Sequence, residues 1–193
     1  MDDAIQAAVK NKAWKHSKGK ADWVVACDCD ELLWSNHLEE ELQYMKDNGY
    51  TAMGNVWYAF FGESKPEYQE GKLLHELVKR GARQVINWKD KNIGKIMLFN
   101  PNVIEDMKYE VGCHVCNPIG DYKLYKSDKV YTFHIDKGFG LEYKIKESRK
   151  RAERLSERNK RFKWGFHYKY SEEEFMIRYN QGIENSIDLT TLS

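Results

Sequence analysis

Proline is scarce in this chain, three in 193 residues, and no apolar run is long. The two longest, residues 23–27 and 56–61, fall far short of the ~20 residues a membrane-spanning helix needs, so no transmembrane segment is expected. No secretory leader is expected either, because the start, Met1-Asp2-Asp3, is acidic where such a signal is basic and then apolar. A cytoplasmic, reducing setting follows as the expectation, with the four cysteines as thiols. Nor does one sign of charge dominate: 31 Lys and Arg against 30 Asp and Glu leave a net charge of +1. With 13 Gly, 41% hydrophobic residues and 13% aromatics, the composition excludes fibrous and disordered chains and fits one globular domain over residues 1–193.

Local signals place elements along it. Asp2 or Asp3 caps a helix whose apolar positions are Ile5, Ala8, Val9 and Ala13, with Gly19 beyond its end. Residues 21–29, dense in apolar side chains and bounded by acids, read as a buried strand. Leu38, Leu42 and Met45 space a second helix that stops at Gly49. Residues 50–60 suit another strand, 62–71 a polar loop, and 82–88, 93–99 and 129–135 further strands. High helix propensity runs through 141–162, and Ser171 with Glu174 forms a capping box for a last helix ending near Asn180. The expected class is α/β, a mixed sheet flanked by helices, with a helical C-terminal part from about residue 141.

At the end of the apolar run 23–27 stand Asp28, Asp30 and Glu31. Alternation along a strand puts Asp28 and Asp30 on one face and Cys27 and Cys29 on the other, covered face. In open α/β sheets ligands bind at that carboxyl edge. Two carboxylates there repel each other unless a cation joins them, and a hard divalent ion with oxygen ligands is the usual solution. An Asp-x-Asp triplet is commonplace in a chain with 12 Asp; its place at the mouth of an apolar strand is what singles it out.

With Asp22-Trp23-Val24-Val25 leading into Asp28-Cys29-Asp30-Glu31, the chain resembles a family 2-type glycosyltransferase of the GT-A fold, whose members carry the Asp-x-Asp motif at this strand end. Later blocks resemble such enzymes in the same order: Lys95-Ile96-Met97-Leu98-Phe99-Asn100-Pro101, Gly112-Cys113-His114, His134, Arg151 through Arg154-Leu155-Ser156, and Asn159 to Trp164-Gly165-Phe166-His167-Tyr168. The resemblance covers roughly residues 11 to 170. It implies transfer of a sugar from a nucleoside diphosphate sugar to an acceptor hydroxyl on a glycan or lipid-linked saccharide, that is, glycan biosynthesis. It also implies Mn²⁺ or Mg²⁺ held by Asp28 and Asp30 with His134 or His114, neutralising charge on the leaving diphosphate. Glu31 and Lys95 would contact donor or acceptor. Such enzymes carry a longer nucleotide-binding segment before the acidic strand, where this sequence has about 20 residues. The expected fold is therefore GT-A-like and N-terminally shortened, its bare sheet edge covered by the first helix or by a second copy in a homodimer.

Other assignments stay open on the residues themselves. Cys27, Cys29, Cys113 and Cys116 have spacing that would suit a small zinc-binding protein, and a non-catalytic carbohydrate-binding or interaction protein derived from such a transferase is a further alternative. Lys95 either covers apolar surface at a strand edge or reaches the ligand. An inverting transfer needs a general base, for which Glu76, Glu105, Asp106, Glu110 and Glu142 are available. Residues 144–163 hold ten Lys and Arg against three Glu, a local +7 on a thin apolar stripe of Ile145, Ala152, Leu155 and Phe162. That helix is either a solvated face or a surface from which Arg151 and Arg154 bind phosphate, with Trp164 and His167 beside a sugar ring. It offers no stacking platform on a sheet, so nucleic acid is not an expected partner.

Overall fold

The computed structural model describes residues 2–84 and 95–192. In chain order its elements are α1 (Asp3–Ala13), β1 (Val24–Val25), β2 (Glu31–Trp34), α2 (Leu38–Asp47), β3 (Ala52–Phe61), α3 (Leu74–Leu77), β4 (Arg80–Arg83) and β5 (Leu98–Phe99). There follow β6 (Ile104–Asp106), β7 (Ile119–Gly120), β8 (Leu124–Lys137), α4 (Leu141–Glu153), α5 (Glu157–Arg161), α6 (Glu172–Glu184) and β9 (Ser186–Asp188). The class is α/β, a mixed sheet flanked by helices, as expected. The strands expected over 82–88 and 93–99 run partly into residues 85–94, which lie outside those described. Among the described residues no helix is long and apolar enough to cross a membrane.

The chain forms two compact units, one of Asp3–Trp57 with Gln84–Thr132, the other of Tyr58–Arg83 with Phe133–Leu192. Strands β3 and β8 pass from one into the other.

In the first unit β5 lies between β1 and β3, antiparallel to both, with Val25 opposite Leu98 and Met53 opposite Leu98 on the other side. Two cores flank this sheet. One joins Ala7 and Trp14 to Phe99, Ile104 and Met107; the other joins Met45 of α2 to Met53, Leu98 and Val130. Helix α2 has the expected spacing, with Leu38 and Leu42 packed on the second core and Gly49 at positive φ after its end. The strand expected over 21–29 shrinks to Val24–Val25, because the chain turns at Asp28, where the Glu31 amide donates to the Asp28 carbonyl at 3.1 Å. A two-residue edge offers little unpaired backbone.

Helix α1 also departs from expectation. Its inward side chains are Ala7, Lys10 and Asn11, followed by the buried Trp14 just past its end, while Ile5 and Val9 are 59% and 60% exposed. Polar contacts set this phase. The Asn11 side chain donates to the Tyr109 carbonyl (3.0 Å) and accepts from the Tyr109 amide (2.7 Å), fixing a backbone that apolar contact alone leaves unsatisfied.

In the second unit β4 pairs antiparallel with β3 and with β9. The Ser171–Glu174 capping box forms as expected and starts α6, which runs one turn beyond Asn180 to Glu184. Gly182 lets α6 approach the Phe61 ring, where a Cβ would collide with it. The single helix expected over 141–162 is broken into α4 and α5, because the Ser156 side chain accepts from the Asn159 amide and restarts the helix. The break changes what is buried: Leu155 goes inside, but Phe162 is left 55% exposed.

Candidate functional site

The site is assembled from four charged side chains of the first unit. Asp28 lies just past β1, Glu31 opens β2, Lys95 precedes β5 and Lys10 sits in the last turn of α1. The Glu31 side chain is fully buried and folds back so that Oε2 accepts from the Asp28 amide at 2.7 Å. Both Glu31 oxygens also accept from Lys95 Nζ, at 2.8 and 2.6 Å. That ammonium is buried as completely and reaches Asp28 Oδ2 at 3.0 Å. The other Asp28 oxygen, Oδ1, accepts from Lys10 Nζ at 2.8 Å. Two acids and two lysines thus cancel in a cluster where an isolated charge would be costly.

The electrostatics follow the same balance. Burial alone pushes the Asp28 carboxyl up, but the hydrogen bond from Lys10 and the charge of Lys95 outweigh it and hold the group at about 2. Burial lowers the Lys95 ammonium, and the Glu31 carboxylate more than reverses this, so Lys95 stays charged. Lys10 is lowered by burial and by its neighbour Lys95. Tyr109 closes the cluster: its ring lies 5.4 Å from Lys10 Nζ and its hydroxyl donates to the Ile96 carbonyl at 3.1 Å.

Of the expected site residues, the structure brings Asp28 and Glu31 to Lys95, 67 and 64 residues further along the sequence. Asp30 occupies the turn between Asp28 and Glu31 and is half-buried. His114 lies in the same unit, in a turn where Cys113 has φ 56, with its ring 5.5 Å from that of Trp57. Among the described residues no three His, Cys, Asp or Glu side chains are grouped to hold a metal. At Asp28 the carboxylate charge is balanced by Lys10 and Lys95.

The cysteines are divided. Cys27 and Cys29 are exposed, contrary to the covered face expected for them, because Asp28 takes the inner side with its lysines. Cys113 and Cys116 are buried in the core beside Tyr109. Burial raises both of the buried thiols, Cys116 to about 11.

His134, Arg151, Arg154, Trp164 and His167 belong to the second unit. His134 lies on β8 near Asp136; burial raises that carboxyl, but Lys144, Lys137 and His134 together hold it well below the usual carboxylate range. The Arg151 guanidinium stands over the Tyr168 ring at 5.8 Å, and Arg154 Nε donates to the Lys150 carbonyl at 3.0 Å, closing the end of α4. Trp164 is stacked on Phe162, and His167 lies against Tyr168.

Among the general-base candidates, Glu76 is tied to Lys72 and to the Leu73 amide, Glu110 accepts from Asn117, and Asp106 faces Lys15 at 3.5 Å. Glu105 and Glu142 are exposed.

Lys10 is the site residue that sequence reasoning missed. A lysine on an amphipathic helix reads as solvated, and the signal that would have found it, the polar pair Lys10–Asn11 in phase with Ala7 and Trp14, runs against the apolar positions Ile5 and Val9. Compared with known protein families, curated proteins and solved structures, the chain matches none.

Proposed function

We propose that the chain is a metal-dependent glycosyltransferase, moving a sugar from a nucleoside diphosphate sugar to a hydroxyl of a glycan or lipid-linked saccharide. One observation carries this. Two motif blocks that resemble the family, Asp28-x-Asp30-Glu31 and the block opening at Lys95, meet at one site through Lys95, Asp28 and Glu31. A chance likeness of separate short strings gives no reason for them to converge.

The donor set limits what a hard cation can use. Each Asp28 oxygen is occupied by an ammonium, so Asp28 fits a metal poorly while Lys10 and Lys95 stay in place. By the resemblance, Asp30 of the same motif would hold Mn²⁺ or Mg²⁺. When bound, the ion supplies charge neutralisation to the leaving diphosphate.

The chain's own residues do the rest. Lys95 and Glu31 fix the Asp28–Glu31 turn, which sets where Asp30 stands. Lys10 ties that turn to α1, and because the two ammoniums cancel the charge of Asp28 and Glu31, these two acids add no net repulsion to an approaching diphosphate. By the same resemblance Arg151 and Arg154 are proposed for phosphate, Trp164 and His167 for saccharide, and His114 or His134 as a further ion ligand.

The test is release of nucleoside diphosphate from UDP-glucose, UDP-galactose and GDP-mannose by the full chain, with Mn²⁺ and with chelator. Manganese-dependent release that is lost in Asp30→Asn and kept in Cys27→Ser is the expected result. No release from the panel, together with equal manganese affinity in wild type and Asp30→Asn, overturns the proposal and favours a carbohydrate-binding protein without catalysis.

A further inference from the structure

Residues 157–170 of the second unit carry five Lys and Arg against one acid, Glu157, which pairs with Lys160 at 2.6 Å. They form α5, a tight turn and the 3-10 helix Phe166–Lys169. Two phenylalanines in this stretch stay outside the core, Phe162 at 55% and Phe166 at 61% exposure. Lys160, Arg161, Lys163 and Lys169 are exposed beside them. The two Phe rings leave apolar area in water between cations, and an apolar partner with anionic groups would cover both at once.

The backbone adds a second observation. Helix α5 closes with the Trp164 amide donating to the Asn159 carbonyl at 2.9 Å, and Lys163 takes the left-handed position after the helix with φ 56. Glycine is the unstrained residue there, and indeed Gly165 holds the next left-handed position with φ 73. A lysine at Lys163 places charge at the tip of the turn, next to Phe162, at the cost of backbone strain. Trp164 stacks on Phe162 at 5.0 Å and Tyr170 lies edge-on to Phe166 at 5.8 Å, so each exposed Phe is backed by a ring with a polar atom.

We infer that this segment is an interfacial docking patch that seats the protein on an anionic phospholipid surface. Phenylalanine suits the acyl boundary because it has no polar group to leave unsatisfied, whereas Trp and Tyr suit the headgroup level behind it. Lysine and arginine stems lie along apolar surface and put their charges among lipid phosphates. A polyanion without bases, such as heparin, would use the same charges but gain little from the Phe rings, whereas a single-stranded nucleic acid could stack on them and is therefore an outcome the experiment separates. The inference does not rest on sugar transfer: vesicle binding and donor release are separate measurements, and either can fail alone.

The experiment is co-sedimentation of the full chain with vesicles of phosphatidylcholine containing a quarter phosphatidylglycerol, against vesicles of phosphatidylcholine alone. Binding to the anionic vesicles only, weakening with added salt, is expected. Phe162→Ser with Phe166→Ser should weaken it about tenfold or more, and Lys160→Gln with Lys163→Gln by a similar factor, with circular dichroism unchanged. Should the phenylalanine variant fail to fold, brominated acyl chains decide on folded protein: they should quench tryptophan emission, and Trp164→Phe should remove the quenched part. Equal binding to both vesicle types, no binding to either, absence of quenching, or loss of binding with the lysines but not with the phenylalanines overturns the inference. Binding to heparin or a single-stranded oligonucleotide with none to vesicles would assign the patch to a soluble polyanion instead.

Discussion

Replacing Lys95 by methionine should be among the most damaging single changes to the first unit. Methionine keeps the apolar stem and roughly the length, so the change removes little besides the ammonium. The Glu31 carboxylate, fully buried and bonded to Lys95 through both oxygens, then has no cation against it, and Asp28 keeps Lys10 alone. Breaking a buried pair by removing one partner costs about 3–5 kcal/mol. Against a total stability of about 5–15 kcal/mol that is a large share. Urea unfolding followed by tryptophan fluorescence reads it directly: with a slope of about 1–3 kcal/mol per M, the midpoint should fall by at least about 1 M. Glu31→Gln in the same background supplies the control, since glutamine can still accept from the Asp28 amide and carries no charge. The double variant should recover part of the loss, giving a coupling energy of roughly 1–3 kcal/mol. A Lys95→Met loss below about 1 kcal/mol with no coupling would mean that the two charges are solvated, and the cluster as described would be wrong.

Acid should act on the same cluster. Because the folded Asp28 carboxyl titrates at about 2, below its unfolded value, its contribution of about 2 kcal/mol is present above pH ~4 and lost as pH falls toward 2. The stability gap between wild type and Asp28→Asn should therefore narrow over that window; a constant gap contradicts the assignment. The cysteines should divide two and two with Ellman's reagent in native buffer, the exposed Cys27 and Cys29 reacting at once and the buried Cys113 and Cys116 only on unfolding. Four equally fast thiols would refute the buried pair.

Local signals in the sequence were legible where the determinant is local. The Ser171–Glu174 box and the Leu38–Leu42–Met45 spacing each depend on residues within two turns of a helix, and both formed as expected. The break at Ser156 is equally local, a side chain capping the Asn159 amide, but uniform helix propensity over 141–162 masks it. Helix α1 was misphased for the opposite reason. Nothing within the helix favours turning Lys10 and Asn11 inward over Ile5 and Val9; the preference arises from Asp28 and from the Tyr109 backbone, 18 and 98 residues away.

The same distinction governs the site. Asp28, Asp30 and Glu31 were visible because acids at the mouth of an apolar run stand out in any single sequence, and Lys95 because its block resembles a family. How their charges are balanced was not visible, since an acid pair can be neutralised by an ion or by ammonium groups and the sequence pattern is identical for both. The structure supplies two ammoniums at Asp28, and this changes the division of labour among the acids. Asp28 and Glu31 become the fixed, internally neutralised base of the turn in which Asp30 stands. A turn fixed by buried ion pairs holds its geometry before any ligand arrives, so less ordering is needed on binding. If Asp30 does hold a cation, the affinity should thus depend on Lys95 and Glu31, which need never touch the ion.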